Sequence, residues 1–197
     1  MATLFVDKLD PQSGTALEIG TSGDTISVPS GATINLSNAT QTGVGGTNTP
    51  AFEAYLGDSG GQSVTNNAVT LVQINTEVYD TDSAFDTGTY RFTPQTAGKY
   101  FVYASIQLET GSNANLDDAY LYIKKSGTQI YESTNIFASN YIRQNIISGH
   151  IVVDMNGSSD YLELYGRINC EDNSGMLFES NTQWKRATHF GAYRIIT

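Results

Sequence analysis

The sequence predicts an all-β protein, in which a short N-terminal arm precedes a large C-terminal β-sandwich. The first observation is composition: the 197 residues include nineteen Gly and twelve Tyr, and only 15% of the residues are charged. Such a composition favours turns and strands over helices. The second observation is pattern, because apolar residues alternate with polar ones over short runs that are separated by turn residues.

The N-terminal arm divides into three parts by its apolar content. Residues 1–12 hold a small apolar cluster, and residues 13–38 carry three alternating apolar pairs. Residues 39–50 have almost no apolar content, which is typical of a linker. The cluster consists of Leu4, Phe5, Val6 and Leu9, and the pairs are Leu17 with Ile19, Ile26 with Val28, and Ile34 with Leu36.

The three apolar pairs cannot form a core within one chain. Successive pairs begin nine and eight residues apart, which leaves three or four residues for each strand before the chain turns. A two-stranded hairpin of that size is marginal in water. We therefore expect residues 13–38 to form short strands that bury their apolar pairs against other copies of the chain.

Residues 51–197 contain about ten candidate strands. In chain order these are AFEAYL, AVTLVQI, TYRF, KYFVYASIQL, AYLYIKK, TQIYES, NIISGHIVVDM, DYLELYGRI, GMLFES and HFGAYRII. The intervals between them are too short for the helices of about 10–15 residues that a parallel α/β sheet needs. The sequence therefore predicts that residues 51–197 fold as a β-sandwich.

Some of these candidate strands are apolar on both faces. In KYFVYASIQL, Phe101 and Tyr103 alternate with the residues expected in the core, and in DYLELYGRI, Tyr161 and Tyr165 do the same. The outer face of an antiparallel sheet is usually polar. An aromatic outer face indicates a contact between subunits.

Charge and cysteine content limit the partners of the chain. Ten Lys plus Arg against twenty Asp plus Glu give a net charge of −10, which repels phosphate backbones and anionic membranes. We expect no nucleic-acid partner and no membrane insertion. The start, MATLFVDKLDP, lacks the pattern of a signal peptide, which predicts a protein made and kept in a cytosol. The single cysteine, Cys170, is expected to be a buried or inert thiol.

The sequence contains no recognisable catalytic motif, and we expect neither enzymatic activity nor a cofactor. The chain has two histidines; His189 is interpreted as packed or interfacial, and His150 as a residue on a strand surface. Acidic pairs show no fixed Ca²⁺-ligand spacing and are interpreted as solvated turn acids. Asp117 and Asp118 are the first candidates if Ca²⁺ is bound.

The single tryptophan allows two interpretations. Trp184 lies beside Lys185 and Arg186, and this group is a candidate contact for a glycan, because aromatic and basic side chains make binding hot spots. The alternative is that Trp184 is partly buried packing and that the two basic residues offset nearby acids.

A combination of motifs lies between Glu77 and Leu108. They are Tyr79-Asp80, Thr87-Gly88-Thr89-Tyr90-Arg91-Phe92, Thr93-Pro94, Gly98-Lys99-Tyr100 and Val102. This combination resembles the signature of the complement C1q and tumour-necrosis-factor jelly-roll head, which usually has Phe where this chain has Val102. AFEAYL at residues 51–56 and ATHFGAYRII at residues 187–196 are similar to the family's first and last strands.

The resemblance implies a ten-stranded C1q-like jelly roll in residues 51–197, and a homotrimer in which the inner sheets of three heads pack around an axis. The expected interface residues are Phe101, Tyr103, Tyr161, Tyr165, Phe190 and Tyr193. In such a trimer, three copies of residues 13–38 lie side by side. They then resemble the intertwined β-structured stalks of fibre and decoration proteins of tailed bacteriophages.

The order of arm, stalk and head resembles small structural proteins of marine phages. We therefore predict a non-enzymatic virion protein, assembled in the cytoplasm of the host bacterium, that is a short fibre or a head-decoration protein. Residues 1–12 would anchor it to capsid, neck or tail proteins. The alternative is a fibre-tip module that binds a glycan or another component of the host surface. A depolymerising enzyme would instead need a cleft with convergent carboxylates.

Overall fold

The computed structural model of the chain describes residues 19–35, 48–57, 60–111, 115–138, 141–173, 176–178 and 186–195. The chain divides into two compact units, Met1–Gly45 and Gly46–Thr197. The boundary between the units falls within the segment interpreted as a linker. The predicted anchor residues Leu4, Phe5, Val6 and Leu9 lie outside the described residues, and so do Leu17 and Leu36.

Two similar turns organise the described part of the first unit, residues 19–35. The Asp24 N–H donates to the carbonyl of Thr21 at 3.0 Å, and the Ala32 N–H donates to the carbonyl of Pro29 at 3.1 Å. Gly23 and Gly31 take φ values of 95° and 87° within these turns, which glycine adopts without steric cost.

Residues 19–35 contain no strand, so the short strands expected there are not formed within one chain. The apolar side chains between and beside the turns lie in solvent: the exposed fractions are 58% for Ile19, 61% for Ile26, 43% for Val28 and 59% for Ile34. Among the described residues of the single chain, none buries these four side chains.

The described residues of the second unit contain thirteen strands and no helix. The strands are β1 (Ala51–Tyr55), β2 (Gln62–Val64), β3 (Thr70–Leu71), β4 (Thr76–Asp80), β5 (Phe85–Asp86), β6 (Arg91–Phe92), β7 (Gly98–Thr110), β8 (Leu116–Lys125), β9 (Thr128–Ile136), β10 (Gln144–Met155), β11 (Leu162–Cys170), β12 (Met176–Phe178) and β13 (His189–Arg194). Within the described ranges there is no helix long and apolar enough to cross a membrane.

The strands form two antiparallel sheets. The first sheet has the order β2-β12-β7-β13-β1-β4, and β10 also pairs with β7. The second sheet has the order β5-β6-β11-β8-β9, and β3 also pairs with β11. Strand β7 is the longest, and it pairs along its length with β10, β12 and β13. It is therefore the central strand of the first sheet.

The core between the two sheets is built on aromatic rings. The ring of Phe52 in the first sheet stacks on Phe85 and Phe92 of the second sheet, at centroid distances of 4.6 and 4.5 Å. Phe190 packs edge-on against Phe52 at 5.3 Å. Tyr100, predicted as a core residue, is fully buried and donates its hydroxyl to the carbonyl of Thr96 at 2.7 Å.

Each of the ten candidate stretches contains a strand, but the predicted count of ten is too low. Strands β2, β4 and β5 were not predicted. Strand β2 has three residues and β5 has two, which is too short to show an alternating pattern. Strand β4 has five residues, of which three in a row are exposed, so it shows no alternation either.

Candidate functional site

The candidate site is the surface of the first sheet that points away from the core. Side chains alternate along β7, so that Tyr100 and Val102 are fully buried while Phe101 and Tyr103 project outward. Neighbouring strands add outward side chains at the positions paired with these two residues. We call this surface the aromatic face and define it by Phe101, Tyr103, His150, His189 and Tyr193.

The five rings of the aromatic face form one continuous cluster. The ring centroid of Phe101 lies 5.4 Å from Tyr193, 5.6 Å from His150 and 6.3 Å from Tyr103. The Tyr103 ring lies 6.0 Å from His189. Contacts at these distances are typical of favourable aromatic pairs. The cluster is thus a preformed surface across three adjacent strands, β10, β7 and β13.

Aliphatic side chains extend the aromatic face along β10. Val152 pairs with Phe101, and Ile146 pairs with Gln107. Paired residues of an antiparallel sheet point to the same side, so both aliphatic side chains lie on the aromatic face. Val152 is 50% exposed and Ile146 is 57% exposed. Exposed aliphatic side chains on the same side of a sheet as a cluster of aromatic rings are typical of an interaction site.

A polar group lies at the centre of the aromatic face. The hydroxyl of Tyr103 in β7 donates to Oε2 of Glu53 in β1 at 3.0 Å, across the intervening strand β13. The Tyr103 ring passes over Gly191 of β13. Any side chain at this position would clash with the ring, because a Cβ there would lie 2.2 Å from Cζ of Tyr103. Arg186 binds Oε1 of Glu53 at 3.1 Å. Both oxygens of the carboxylate are therefore occupied within the chain.

Burial raises the pKa of Tyr103, and the neighbouring Tyr79 and Glu53 raise it further. The phenol is therefore neutral at physiological pH and acts as a hydrogen-bond donor to Glu53. This hydrogen bond across β13 is suited to holding the aromatic face in one conformation.

The predicted interface residues do not all lie on this face. Phe101, Tyr103 and Tyr193 are brought together, but Phe190 is fully buried in the core, and its assignment to the interface is wrong. Phe190 and Tyr193 lie three positions apart in β13, and residues separated by an odd number of positions point to opposite sides of a strand. The aromatic face instead includes His189, which lies four positions from Tyr193 and therefore points to the same side of β13.

Tyr161 and Tyr165 do not lie on the aromatic face, because Tyr165 belongs to β11 in the second sheet and Tyr161 immediately precedes that strand. Their role in a contact between subunits stays a prediction. Arg91 lies over the ring of Tyr161, 4.2 Å from its centroid, and Lys124 lies over Tyr165 at 3.9 Å. Arg91 also binds the carboxylate of Glu163 at 2.9 Å. Both tyrosines are therefore paired with cations of their own chain.

The acidic pair proposed for Ca²⁺ is occupied by protein donors. The amide of Asn169 donates to both Asp117 and Asp118, at 3.0 and 3.1 Å, and Arg167 binds Asp118 at 3.0 Å. Among the described residues, no group of three or more His, Cys, Asp and Glu side chains is placed to hold a metal ion.

Two of the three residues of the predicted glycan contact, Trp184 and Lys185, lie outside the described residues. The third, Arg186, lies at the border of the aromatic face, where it binds Glu53. The guanidinium also approaches the ring of Tyr55, at 5.7 Å from its centroid. Glycan binding by this group stays a prediction from the sequence.

Cys170 is a buried free thiol at the end of β11. Burial raises the pKa of the thiol to about 11, and the carboxylates of Asp172 and Asp118 contribute. Because the thiolate is the reactive form, we expect iodoacetamide at pH 8 to alkylate the folded protein more than about 100-fold more slowly than the chain unfolded in guanidinium. Mass spectrometry of timed samples measures both rates, and equal rates would contradict the burial of this thiol.

Comparison with solved structures shows a C1q and tumour-necrosis-factor type of jelly roll. The globular domain of zebrafish complement 1qA protein has a TM-score of 0.51 and 15% sequence identity, over 75% of this chain and 98% of that one. Murine APRIL has a TM-score of 0.52 and 11% sequence identity, over 74% of this chain and 98% of that one. The Eiger TNF of S. frugiperda has a TM-score of 0.51 and 12% sequence identity, over 74% of this chain and 91% of that one. No family model matches the chain, and no curated protein matches it.

Proposed function

We propose that the protein is a homotrimeric, non-enzymatic structural protein of a tailed-bacteriophage virion, either a short fibre or a head-decoration protein. The observation that carries the proposal is the aromatic face, a cluster of rings that one chain leaves only partly buried, with the exposed Val152 beside it. Three heads would bury these faces around a common axis, as the resemblance to C1q and tumour-necrosis-factor heads implies. The jelly-roll fold supports a head of this kind.

The contrast between the two sheets supports the choice of the first sheet for assembly. On the second sheet, cations cover the rings of Tyr161 and Tyr165, and the charges of Arg91 and Glu163 are paired. On the first sheet, Ile146 and Val152 are at least half exposed beside the aromatic rings. Burying that apolar surface contributes roughly 25 cal/mol per Å². Contact with another copy would therefore cover exposed apolar side chains of the first sheet.

The exposed apolar residues of the first unit support a stalk formed by three chains. In one chain, Ile26 and Ile34 are about 60% exposed and no strand forms around them. Three copies tethered to a trimeric head would meet at an effective concentration in the millimolar range. Burial between chains would then offset the backbone entropy of about 1–2 kcal/mol per residue that is lost on ordering.

Replacing Ile26 and Ile34 together with aspartate is expected to loosen the stalk and to leave the head folded. Six carboxylates in a three-chain stalk would be buried without partners, which costs several kcal/mol. Limited proteolysis should cut the variant within residues 13–50 much faster than the native protein, while the thermal transition of the head is unchanged. The matched control replaces the polar neighbours Ser27 and Asn35 with aspartate. Equal protection of the double variant and the native stalk would show that these isoleucines are not buried between chains.

Deleting residues 2–10 tests the virion role and the position of the anchor. We expect a soluble trimer that no longer joins phage particles, because the deletion removes Leu4, Phe5, Val6 and Leu9 from the arm. Quantitative mass spectrometry of purified particles, with co-expressed full-length protein as the reference, measures incorporation. Incorporation at the normal copy number would place the anchor elsewhere in the chain.

A further inference from the structure

We infer that the arm contains an array of equivalent repeats, each of which packs against the same repeat in other copies of the chain, so that the stalk grows or shrinks in whole repeats. The inference rests on the proposed stalk of three chains and names the element from which it is built. Each repeat reads Ser-Gly, two further residues, an apolar residue, any residue and a second apolar residue. The pattern occurs at Ser13–Ile19, Ser22–Val28 and Ser30–Leu36. Residues 13–18 and Leu36 lie outside the described residues and enter through the sequence alone.

The second and third repeats begin with turns of the same conformation. Each turn is closed by a hydrogen bond from the N–H of its fourth residue to the carbonyl of its first, at 3.0 Å in Thr21–Asp24 and at 3.1 Å in Pro29–Ala32. The third residue of each turn is a glycine with a positive φ, 95° at Gly23 and 87° at Gly31. A turn that requires a positive φ at its third position selects glycine there. The repeat in the sequence is therefore also a repeat in backbone structure.

The spacing of the repeats defines the step of the array. The Ser-Gly pairs of the second and third repeats begin eight residues apart, and those of the first and second begin nine apart. The additional residue is Gly20, which precedes the turn and has a φ of 83°. In every repeat the apolar residues follow the glycine by three and five positions, so they share one side when the segment is extended. Eight residues can therefore be added without changing the side on which the other apolar pairs lie.

Another copy of the chain is the partner that this pattern fits. In the single chain, Ile26 is 61% exposed and Ile34 is 59% exposed. Copies aligned side by side present the same apolar pair at the same level, so each pair meets an equal pair and each turn an equal turn. Charge opposes this contact little, because residues 13–36 contain only Glu18 and Asp24 as charged residues although the chain has a net charge of −10.

The carboxylate of Asp24 is engaged within its own turn. It accepts hydrogen bonds from the backbone N–H of Thr21 at 2.7 Å and from the Thr21 hydroxyl at 3.0 Å. These bonds, and the backbone bond most of all, hold the pKa of Asp24 below its ordinary value. The third repeat has Ala32 at the equivalent position and adds no charge. The charge thus belongs to the turn, and the apolar pairs carry none.

An array of this kind predicts how the arm responds to inserted residues. Each repeat contacts its equivalents in the other copies and its neighbours along the chain, so an added repeat continues the array. An insertion of the same length without the pattern separates the second repeat from the third and removes the contact between them. Because burial of one isoleucine changes an opening equilibrium by about tenfold or more, the two insertions should differ clearly in local opening.

The test inserts eight residues after Val28 of the full-length chain in two versions. The in-phase variant receives a second copy of Thr21–Val28, and the matched control receives a second copy of the linker segment Ser37–Val44, which lacks the pattern. Light scattering at pH 7.5 measures assembly, and mass spectrometry of timed digests with proteinase K measures cleavage within the arm. We expect trimers in all three proteins. The arm of the in-phase variant should be cut no faster than the native arm, and that of the control at least about tenfold faster than both.

The outcomes separate failure of the array from failure of the proposed stalk. An in-phase variant that is cut as fast as the control, while the native arm is protected, would overturn the array alone, because the arm would not distinguish a repeat from any other eight residues. A native trimer whose arm is cut as fast as the control would overturn the stalk and the array with it. A native chain that is monomeric would overturn the assembly on which both depend.

Discussion

Replacing Val152 with glutamate is expected to convert the proposed trimer into folded monomers. Val152 is 50% exposed in the single chain and lies on the aromatic face opposite Phe101. Assembly would bury one added carboxylate per copy at a cost of several kcal/mol each, because an unpaired buried charge is poorly solvated. Lys99 lies two positions before Phe101 in β7, and its ammonium group is already bound to Asp154 at 2.7 Å, so it does not compensate the added charge. The trimer association constant should fall by about 10³-fold or more.

A matched control separates this effect from a general effect of added charge. Val69 is 48% exposed and immediately precedes β3, in the second sheet. Val69→Glu therefore adds the same charge at the same residue type and almost the same exposure, away from the aromatic face. Sedimentation velocity at micromolar concentration should show a monomer for Val152→Glu and a trimer for Val69→Glu, with identical far-ultraviolet circular dichroism. A trimer in both variants would place the interface elsewhere.

Replacing Phe52 with alanine is expected to lower the free energy of unfolding of the head by about 3–5 kcal/mol, the usual cost of removing a buried phenylalanine. Phe52 is fully buried and joins the two sheets through Phe85 and Phe92, at centroid distances of 4.6 and 4.5 Å, and it also contacts Phe190 of its own sheet at 5.3 Å. Its ring is the common neighbour of three others, so the cavity left behind cannot close by moving one side chain.

Urea denaturation at fixed protein concentration measures the effect of Phe52→Ala. The control is Val69→Ala at an exposed position, for which a change within about 0.5 kcal/mol is expected. A loss below 1 kcal/mol for Phe52→Ala would mean that the aromatic packing between the sheets does not support the fold. If the Phe52→Ala protein that remains folded is still a trimer, the core determines the stability of the head and the aromatic face determines its assembly.

The long strands could be predicted from the sequence because their apolar pattern is local. Strand β7 has thirteen residues, and the alternation of Tyr100 and Val102 with Phe101 and Tyr103 indicates two faces without any knowledge of its neighbours. Short strands such as β5, with two residues, carry no such pattern. Strand β5 pairs with β6, which is equally short, so its existence depends on how the chain turns between the two.

The composition of the site could be predicted only in part, since it depends on which sheet each strand joins. The sequence shows that Tyr165 points away from the core, but its sheet is set by the pairing of β11 with β8. The contact between Tyr103 and Glu53 joins residues fifty positions apart across a third strand, and no local pattern shows it. For Phe190 the signal was present, because its odd spacing from Tyr193 already places the two on opposite sides.

The mass of the native chain in solution tests the central claim most directly. Light scattering of the purified full-length protein at pH 7.5 and micromolar concentration should give about three times the chain mass of 21.3 kDa. A single species near 21.3 kDa under those conditions would mean that the aromatic face and the apolar residues of the arm are not buried by other copies of this chain.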